Sequence, residues 1–317
     1  HVFSPAFKDE DITLLLEIAD HLVFNSFHQW VIFRDRIMEH NQSTAKAISC
    51  GLRINPDFSV TTHDIYNPAA PGSRLGITPE EFSKGVEEYG LEGIEGLHFH
   101  VLCEDNSDKL LGVWEVVVER FGPWLKQMQW INMGGGHHLT REDYDVSLLK
   151  EVIDDCHSRY DAQVYLEPGD AVVLNTGFFV SEVVHLIHNA MDFAVLDSSA
   201  TCHMPDVLEV PYQPNVFVVK GDTGERLPLA SLEASDSHPY HYRLGGTSCL
   251  AGDVVGDYYF TVPLARGDRL VFLDMALYTM VKTNTFNGTP LPSIYLLGEE
   301  GLECIRKFSY EDFKSRL

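Results

Sequence analysis

Apolar stretches of strand length alternate with amphipathic stretches of helix length along the first half of the chain. The later strands are spaced by roughly thirty residues, which is the length of a βαβ unit. This order predicts a parallel sheet covered by helices. The six predicted strands are Val2–Phe3, Leu22–Phe24, Ala47–Ile54, Leu97–Val101, Trp130–Met133 and Gln163–Leu166.

Helical periodicity fills most of the intervals between these strands. Capping boxes are predicted at Thr78 with Glu81 and at Thr140 with Asp143, so a helix is expected to begin at each. The predicted helices are Ile12–Ile18, Trp30–Met38, Pro79–Tyr89, Lys109–Arg120 and Ser147–Arg159.

Six strands are two fewer than a closed (β/α)₈ barrel contains. The chain starts at His1, directly before an apolar stretch, so we expect the two further βα units to lie upstream of that residue. Residues 1–177 are therefore predicted to form a TIM-like α/β barrel that is incomplete at its N-terminus. The carboxyl ends of its strands would share one face, where such barrels place their active sites.

Short alternating, β-branched stretches replace this pattern in residues 178–317. Turn residues separate them, which predicts an antiparallel β-domain, either a barrel or a sandwich. The expected strands are Phe179–Val184, Phe193–Asp197, Val216–Val219, Tyr258–Val262 and Arg269–Phe272, followed by a helix from Tyr310 to Leu317.

Charge and cysteine usage narrow the function classes. Lys and Arg total 23 against 47 Asp and Glu, and the resulting formal charge of −24 argues against nucleic-acid or anionic-membrane binding. It would attract a cationic substrate, although an acidic solvated surface explains it equally simply. The 6 cysteines have no CxxC spacing, so reduced thiols in the cytoplasm are expected, with neither disulfides nor a metal site.

Glycines and polar residues follow four of the predicted strands. Gly134, Gly135 and Gly136 end the fifth strand, and backbone N–H groups of such a turn can surround a phosphate, although a simple tight turn would look the same. The other strand ends carry Arg53, His100 and the turn Glu167-Pro168-Gly169. We expect all four to meet on the same face of the barrel.

The motifs of the whole chain, taken in order, resemble those of a known family. They are Phe99-His100-Val101, Gly134-Gly135-Gly136, Glu167-Pro168-Gly169, Gly246-Thr247-Ser248-Cys249 with Asp253, Tyr278, and Phe286-Asn287-Gly288. This set resembles the alanine-racemase-fold, pyridoxal-phosphate-dependent decarboxylases of basic amino acids, which include ornithine, arginine and diaminopimelate decarboxylases. The resemblance implies an enzyme that binds pyridoxal 5'-phosphate and forms a homodimer with shared active sites.

Three stretches resemble one branch of the family, which converts carboxynorspermidine or carboxyspermidine to norspermidine or spermidine. They are Leu97–Glu104, Gly134–His138 and, most distinctively, Leu196–Asp206. The resemblance implies a cationic, polyamine-type amino acid as substrate.

The resemblance also assigns roles around the cofactor. Glu167 would face the pyridine nitrogen and keep it protonated, which the electron-sink chemistry requires. His100 would stack on the ring, while the bland alternative is a core histidine. The glycine turn would hold the phosphate, with Cys103 near it. Arg53 matches an arginine of the cofactor site, with a structural ion pair as the alternative.

Residues of the second half would complete the site of a partner subunit. Cys249 would protonate the carbanion left by decarboxylation, and Tyr278 would reach the phosphate. Asp197 would hold the distal amine of the substrate, with Asp253 and, more weakly, His203 in the same pocket. Two acidic groups would suit a substrate with two amines beyond its Cα, since a desolvated cation needs a paired partner.

The sequence departs from the family pattern in three places. Asp170 stands where ornithine decarboxylases carry an arginine, so positive charge for the anion must come from elsewhere. The acidic residue after Cys249 comes four positions on, at Asp253. No candidate for the Schiff-base lysine follows an early strand; Lys46 precedes one, so the lysine is expected upstream of His1.

Two alternatives remain open from the sequence. One is a diaminopimelate, ornithine or arginine decarboxylase with divergent motifs. The other is a non-catalytic regulatory homologue that has lost the lysine, although the presence of Cys249, His100 and Glu167 speaks against it.

Overall fold

The computed structural model describes residues 1–60, 67–210 and 212–317. The chain forms two compact units, His1–Val172 and Val173–Leu317, and each has its own hydrophobic core. The division into domains after residue 177 stays a prediction, since a compact unit is not by itself an independently folding domain. In the described residues, no helix is both long enough and apolar enough to cross a bilayer.

The first unit contains a six-stranded sheet in which all the strands are parallel and sequential strands are neighbours. Its strands are β1 (Val2–Ser4), β2 (His21–Phe24), β3 (Ser49–Arg53), β4 (Ile94–His98), β5 (Trp130–Asn132) and β6 (Gln163–Tyr165). The predicted βα order of this half is therefore confirmed.

Helices connect these strands in the predicted order. They are α1 (Asp9–Ile18), α2 (Phe27–Ser43), α3 (Pro79–Tyr89), α4 (Ser107–Leu125) and α5 (Val146–Tyr160), followed by the short α6 (Gly169–Val173). Helix α5 agrees with the predicted Ser147–Arg159 to within one residue at each end, but the capping box predicted at Thr140 is wrong, because Asp145 is the N-cap and accepts the Leu148 backbone N–H. Thr78 does cap α3 by position, but its side chain makes no capping hydrogen bond, so the capping box expected there is wrong.

Trp130 determines how closely the central strands of this sheet pack. A Cβ added to Gly96 would lie 2.0 Å from the indole ring, and one added to Gly51 would lie 2.4 Å from it. The indole Nε1–H donates to Ser49 Oγ at 2.8 Å, which fixes the ring across β3 and β4. Strand β5, which leads into the glycine turn, is thereby held against its neighbours.

The second unit contains a seven-stranded sheet in the order β10-β9-β13-β7-β8-β11-β12, and a separate hairpin of β14 and β15. The strands are β7 (Phe178–Asn189), β8 (Met191–Leu196), β9 (Val216–Val219), β10 (Arg226–Leu229), β11 (Tyr240–Gly245), β12 (Val254–Phe260), β13 (Arg269–Leu273), β14 (Ile294–Gly298) and β15 (Gly301–Arg306). Short helices α7 (Ala200–His203), α8 (Pro205–Glu209), α9 (Tyr278–Val281) and α10 (Tyr310–Lys314) complete it.

The sheet of the second unit is mixed, so the prediction of a purely antiparallel domain is wrong. Strands β8 and β11 pair in parallel, with Arg243 opposite Phe193 and Gly245 opposite Val195. Two neighbouring strands can be parallel only if a long connection carries the chain back to the end of the sheet at which the first strand began. Here that connection is the whole segment from α7 to β10, which the pattern of short strands does not reveal.

Candidate active site

The carboxyl ends of β3 to β6 bring the predicted cofactor residues of the first unit together. Glu167 lies just after β6, and its Oε1 accepts a hydrogen bond from Asn132 Nδ2 at 2.8 Å. Its Oε2 lies 3.6 Å from His98 Nε2 and 4.0 Å from His100 Nδ1. Three strand ends therefore converge on one carboxylate.

Glu167 is held in its anionic form. The interaction with the His98 imidazole is the largest cause, the amide of Asn132 adds to it, and together they outweigh burial and lower the pKa of Glu167 to about 2. Burial lowers the pKa of His98, whose side chain is 2% exposed. At neutral pH the pair is therefore a neutral imidazole beside a carboxylate. Such a carboxylate can accept a hydrogen bond from a protonated nitrogen of a bound molecule.

His100 is neutral as well. Burial is the largest cause that lowers its pKa to about 4, and the neighbouring Arg53 cation adds to it. Its Nδ1 accepts the Gly135 backbone N–H at 3.2 Å, so the ring proton is on Nε2. This hydrogen bond fixes the ring against the glycine turn.

Arg53 is buried at the end of β3 and remains a cation although burial lowers its pKa to about 10. Its Nη2 donates to the His100 carbonyl oxygen at 3.3 Å, and its guanidinium lies 4.5 Å from the centre of the Phe3 ring. Arg53 thus contacts the backbone that follows the next strand. Among the described residues no carboxylate lies within ion-pair distance of its guanidinium, so the alternative of a structural ion pair is not observed.

Each glycine of the turn is required by close packing. A Cβ on Gly134, whose φ is +71°, would lie 2.4 Å from the Phe99 carbonyl oxygen. On Gly136, with φ of +81°, it would lie 2.3 Å from the Leu102 carbonyl oxygen, and on Gly135 it would lie 2.5 Å from that of Glu167. Positive φ at two positions and contact with two other strand ends leave room only for glycine.

Cys103 follows β4 in an acidic environment. Burial and the carboxylates of Glu104, Asp105 and Asp170 raise the pKa of its thiol to about 11, so the group is neutral. The backbone N–H of Cys103 donates to Asp105 Oδ2 at 3.0 Å. Lys46, the nearest sequence imitation of the missing lysine, precedes β3 and pairs with Asp20 at 2.9 Å, so it lies at the opposite end of the strand from Arg53.

Two predicted substrate residues of the second unit hold backbone loops. Asp253 is buried, and its two carboxylate oxygens accept the backbone N–H groups of Thr201 at 3.1 Å and Ser248 at 3.0 Å. His203 accepts the Ser199 N–H on Nδ1 at 3.2 Å and donates from Nε2 to the Pro290 carbonyl at 3.0 Å. Both side chains therefore have their polar atoms occupied by the unit's own backbone.

The other three predicted residues of this unit are exposed. Asp197 uses Oδ1 to accept from Ser181 Oγ at 2.7 Å and from a backbone N–H. The Cys249 thiol accepts from Asn287 Nδ2 at 2.9 Å. Tyr278 begins α9 with 52% of its surface exposed, and Lys282 Nζ lies 5.7 Å from its ring centre.

The sequence interpretation missed His98, Asn132 and Asp206. His98 is two positions before His100. Because alternate residues of a strand share a face, this spacing could have predicted that the two histidines lie on the same side of the sheet. Asn132 ends β5 immediately before the glycine turn region. Asp206, the last residue of the distinctive stretch Leu196–Asp206, is buried, and its Oδ2 accepts from the hydroxyls of Tyr212 and Thr279, at 2.5 and 2.7 Å.

These residues fit pyridoxal phosphate: an anionic carboxylate for a protonated ring nitrogen, a neutral imidazole, and a glycine turn with no space for side chains. The chain belongs to the pyridoxal-dependent decarboxylases, because the family profile described as "Pyridoxal-dependent decarboxylase, C-terminal sheet domain" matches residues 19–276. The members of this family are enzymes, and pyridoxal phosphate is their cofactor.

Within that family the chain is similar to particular enzymes. It is 43% identical to the carboxynorspermidine/carboxyspermidine decarboxylase of Campylobacter jejuni, over 100% of this chain and 79% of that protein. It is 41% identical to the carboxyaminopropylagmatine decarboxylase of Synechocystis, over 100% of this chain and 77% of that protein.

Solved structures agree in fold. The crystal structure of the Campylobacter jejuni carboxynorspermidine decarboxylase complexed with norspermidine matches with a TM-score of 0.81 and 41% identity, over 99% of this chain and 80% of that one. A diaminopimelate decarboxylase matches with a TM-score of 0.76 at 17% identity, over 99% of this chain and 76% of that one. The second match shows the fold alone.

Proposed function

We propose that this protein is a decarboxylase that removes the α-carboxylate of carboxynorspermidine or carboxyspermidine to give norspermidine or spermidine. The observation that carries the proposal is the 43% identity, over the whole of this chain, to an enzyme named for those substrates. Diaminopimelate decarboxylases are more distant relatives at 25% identity or less, so nothing favours that alternative.

Pyridoxal phosphate, when bound, takes up the electron pair that remains after the carboxylate departs as CO₂. Glu167 would accept a hydrogen bond from the protonated ring nitrogen, and the low pKa of Glu167 keeps that proton on the nitrogen. Asn132 orients the Glu167 carboxylate by its hydrogen bond, and His98 stabilises the anionic form of that carboxylate. His100, fixed by the Gly135 N–H, would contact the ring.

The phosphate would be held by the Gly134 to Gly136 turn, with Cys103 and Arg53 on the same strand ends. Cys103 would donate as a neutral thiol, in line with its raised pKa. Arg53 supplies positive charge from a buried position. Tyr278, which is exposed on the second unit, would contact the phosphate of a partner subunit.

Protonation and substrate selection are assigned to the second unit. Cys249 would donate a proton to the Cα that loses the carboxylate, and its exposure leaves it accessible. Asp197 would bind the distal ammonium of the substrate, since it is exposed and only its Oδ1 accepts the two hydrogen bonds from Ser181 and Glu182. Asp253 and His203 would act on the substrate pocket by fixing the backbone around residues 199–203, and not by direct contact.

The finer architecture is proposed as well: the six-stranded sheet is an arc of a (β/α)₈ barrel, and the active protein is a homodimer with shared sites. The parallel order of sequential neighbours supports the barrel. A cytoplasmic location is supported by 6 cysteines that all remain thiols.

Mixed variants test the homodimer. The Glu167→Gln variant and the Cys249→Ala variant should each be inactive when assayed separately. After unfolding and refolding together, a shared-site dimer regains up to about a quarter of wild-type activity, because one site per heterodimer is intact. If no activity returns although heterodimers form, each site is built from one chain.

The substrate proposal is tested by CO₂ release from carboxynorspermidine, carboxyspermidine, carboxyaminopropylagmatine, diaminopimelate, ornithine and arginine, with the full-length protein. One of the first two should have the highest kcat/KM, and the last three should fall at least about 100-fold below it, since they lack the distal amine of the polyamine chain and would leave Asp197 without its partner. Preference for carboxyaminopropylagmatine or diaminopimelate would overturn it. A protein that binds cofactor but releases no CO₂ would support the regulatory alternative.

A further inference from the structure

A second cluster of ligating side chains lies in the loops that follow β4, β5 and β6. One ligand atom each of Glu104, His138 and Asp170 lies within 4.8 Å of the other two. Glu104 is exposed, Asp170 is half-buried and His138 is 4% exposed, so the cluster is open to solvent on one side and closed on the other. None of these three residues has a role in the decarboxylation proposed above.

His138 is the unusual member. Its Nδ1 and its Nε2 are both buried, and neither has a hydrogen-bond partner among the described residues. Buried imidazole nitrogens are nearly always paired with a hydrogen-bond partner or a metal ion, because desolvation without a partner is costly. One of these nitrogens is directed at the two carboxylates.

Hydrogen bonds between the loops hold the cluster in place. The Asp105 N–H donates to the Gly136 carbonyl at 2.9 Å, and the His138 N–H donates to the Asp105 carbonyl at 3.3 Å. Thr140 Oγ1 donates to the Ala171 carbonyl at 2.6 Å, which ties the loop of His138 to the helix that carries Asp170. These hydrogen bonds thus position the loops that carry Glu104, His138 and Asp170 before any ion binds.

Glu104 is held in an uncommon conformation. Its φ is +57°, in the left-handed region, and Arg141 Nη1 donates to its carbonyl oxygen at 3.2 Å. A left-handed residue that is not glycine is disfavoured and persists where its surroundings fix it, which occurs at functional sites more than elsewhere. The backbone here turns the Glu104 side chain toward His138 and Asp170.

We propose that Glu104, His138 and Asp170 bind one divalent first-row transition-metal cation, with Zn²⁺ as the representative ion. One imidazole and two carboxylates are ligands that this class of ion accepts, and three protein ligands leave a coordination position open on the exposed side. The net charge of −24 favours a cation generally, but the imidazole selects a transition metal over Mg²⁺ or Ca²⁺.

The active-site group His98, His100 and Glu167 is the natural comparison, because its ligand atoms also lie within 4.8 Å of one another. There, however, the proposed function assigns Glu167 and His100 to the ring of the cofactor, and the His100 Nδ1 accepts the Gly135 N–H. We assign the metal to the Glu104 cluster and not to this group.

The test is Zn²⁺ titration of chelator-treated, full-length holoenzyme by calorimetry, followed by Co²⁺ absorption to identify inner-sphere ligands. One equivalent should bind tightly to the wild-type protein. His138→Gln, Asp170→Asn and Glu104→Gln should each weaken binding by at least about 100-fold, since even loss of an outer-shell partner costs about 10–100-fold. Asp154→Asn, an exposed acid paired with Lys150, and Glu167→Gln should leave the Kd unchanged.

Thermal unfolding provides the control for folding. Zn²⁺ should raise the Tm of the wild-type protein and of Asp154→Asn, and should not raise that of Asp170→Asn. If His138→Gln does not fold, the exposed Glu104→Gln variant carries the same test. Absence of tight binding in the wild type, unchanged Kd in the three ligand variants, or loss of binding in Glu167→Gln would each overturn the assignment.

Discussion

Two pairs of buried polar side chains, one pair in each unit, differ in whether their polar atoms have partners. In the first unit, the ring nitrogens of His98 and His138 have no hydrogen-bond partner among the described residues, although both rings are buried. In the second unit, the buried Asp253 and His203 use both of their polar atoms to hold backbone groups. A buried polar residue in a motif is thus available to a ligand in one place and already holds a loop in the other.

The difference follows from the local architecture. Parallel strands end at one edge, where side chains such as Glu167 and His100 project past the last sheet hydrogen bond and meet each other. In the second unit, the segment between β8 and α8 makes a tight path through α7, and its backbone N–H groups need acceptors. Asp253 and His203 supply atoms for that path.

The largest expected change in stability tests the strand ends of the first unit, through substitution of Gly134. Gly134→Ala places a Cβ 2.4 Å from the Phe99 carbonyl oxygen at a φ of +71°. We expect a loss of about 2–5 kcal/mol of stability, from a left-handed conformation and an overpacked contact. Urea unfolding of the full-length protein measures it.

Gly112→Ala is the matched control, because nothing lies within 4 Å of a Cβ at this position inside α4. Alanine is the better helix former, so stability should rise by about 0.5–1 kcal/mol. If Gly134→Ala were as stable as Gly112→Ala, the turn would not need glycine for packing.

A smaller effect separates the two aspartates of the second unit. Burial opposes ionisation of Asp253, yet hydrogen bonds from Ser248 and Thr201 hold its pKa below the ordinary value. Asp253→Asn turns one accepting oxygen into a donor that faces a backbone N–H, which should cost about 2–3 kcal/mol in the free energy of unfolding.

Asp197→Asn should change stability by no more than about 0.5 kcal/mol, because the side chain is exposed and the amide oxygen can still accept from Ser181. Its kcat/KM for the polyamine substrate should fall instead. Equal destabilisation by the two substitutions would mean that exposure does not separate substrate residues from loop residues here.

The smallest effect is a pH dependence in the first unit. The pKa of His100 is lowered from 6.5 to about 4 by burial, so between these values the unfolded chain binds a proton that the folded chain does not. Stability should therefore fall as pH decreases from 6.5 towards 4. Glu167, lowered from 4.5 to about 2, adds to the loss only below pH 4.5.

His100→Gln should flatten the decrease in Tm between pH 6.5 and pH 4.5, since glutamine can accept the Gly135 N–H but does not titrate. At pH 8, where neither state of the wild type carries the proton, the Tm difference between the two proteins measures the effect of the substitution apart from titration. A Tm profile of His100→Gln that is as steep as the wild-type profile would show that other groups govern the response.

The first unit could be predicted well from the sequence because its strands and helices have distinct periodicities. Helix α3 has the predicted bounds Pro79–Tyr89, and strands end within a few residues of their predicted ends. Helix α5 begins at Val146, one residue before the predicted Ser147, but the capping box predicted at Thr140 does not start it, since Asp145 is the N-cap.

The second unit was predictable only in part. Strand β9 has its predicted bounds, but β10, β11 and the hairpin of β14 and β15 were not foreseen, because each is short or flanked by polar residues. The parallel pairing of β8 with β11 depends on contacts between distant residues. The same holds for the site: residue types suggested Glu167 and His100, but only the fold brings Asn132 and His98 to them.

The indole of Trp130 limits which substitutions the sheet of the first unit can accept. The ring covers the two positions, Gly51 and Gly96, where neighbouring strands would otherwise present side chains, so these three residues can vary only together. Directed evolution of substrate range should therefore succeed in the loops of the second unit around Asp197 and stall in the strands of the first.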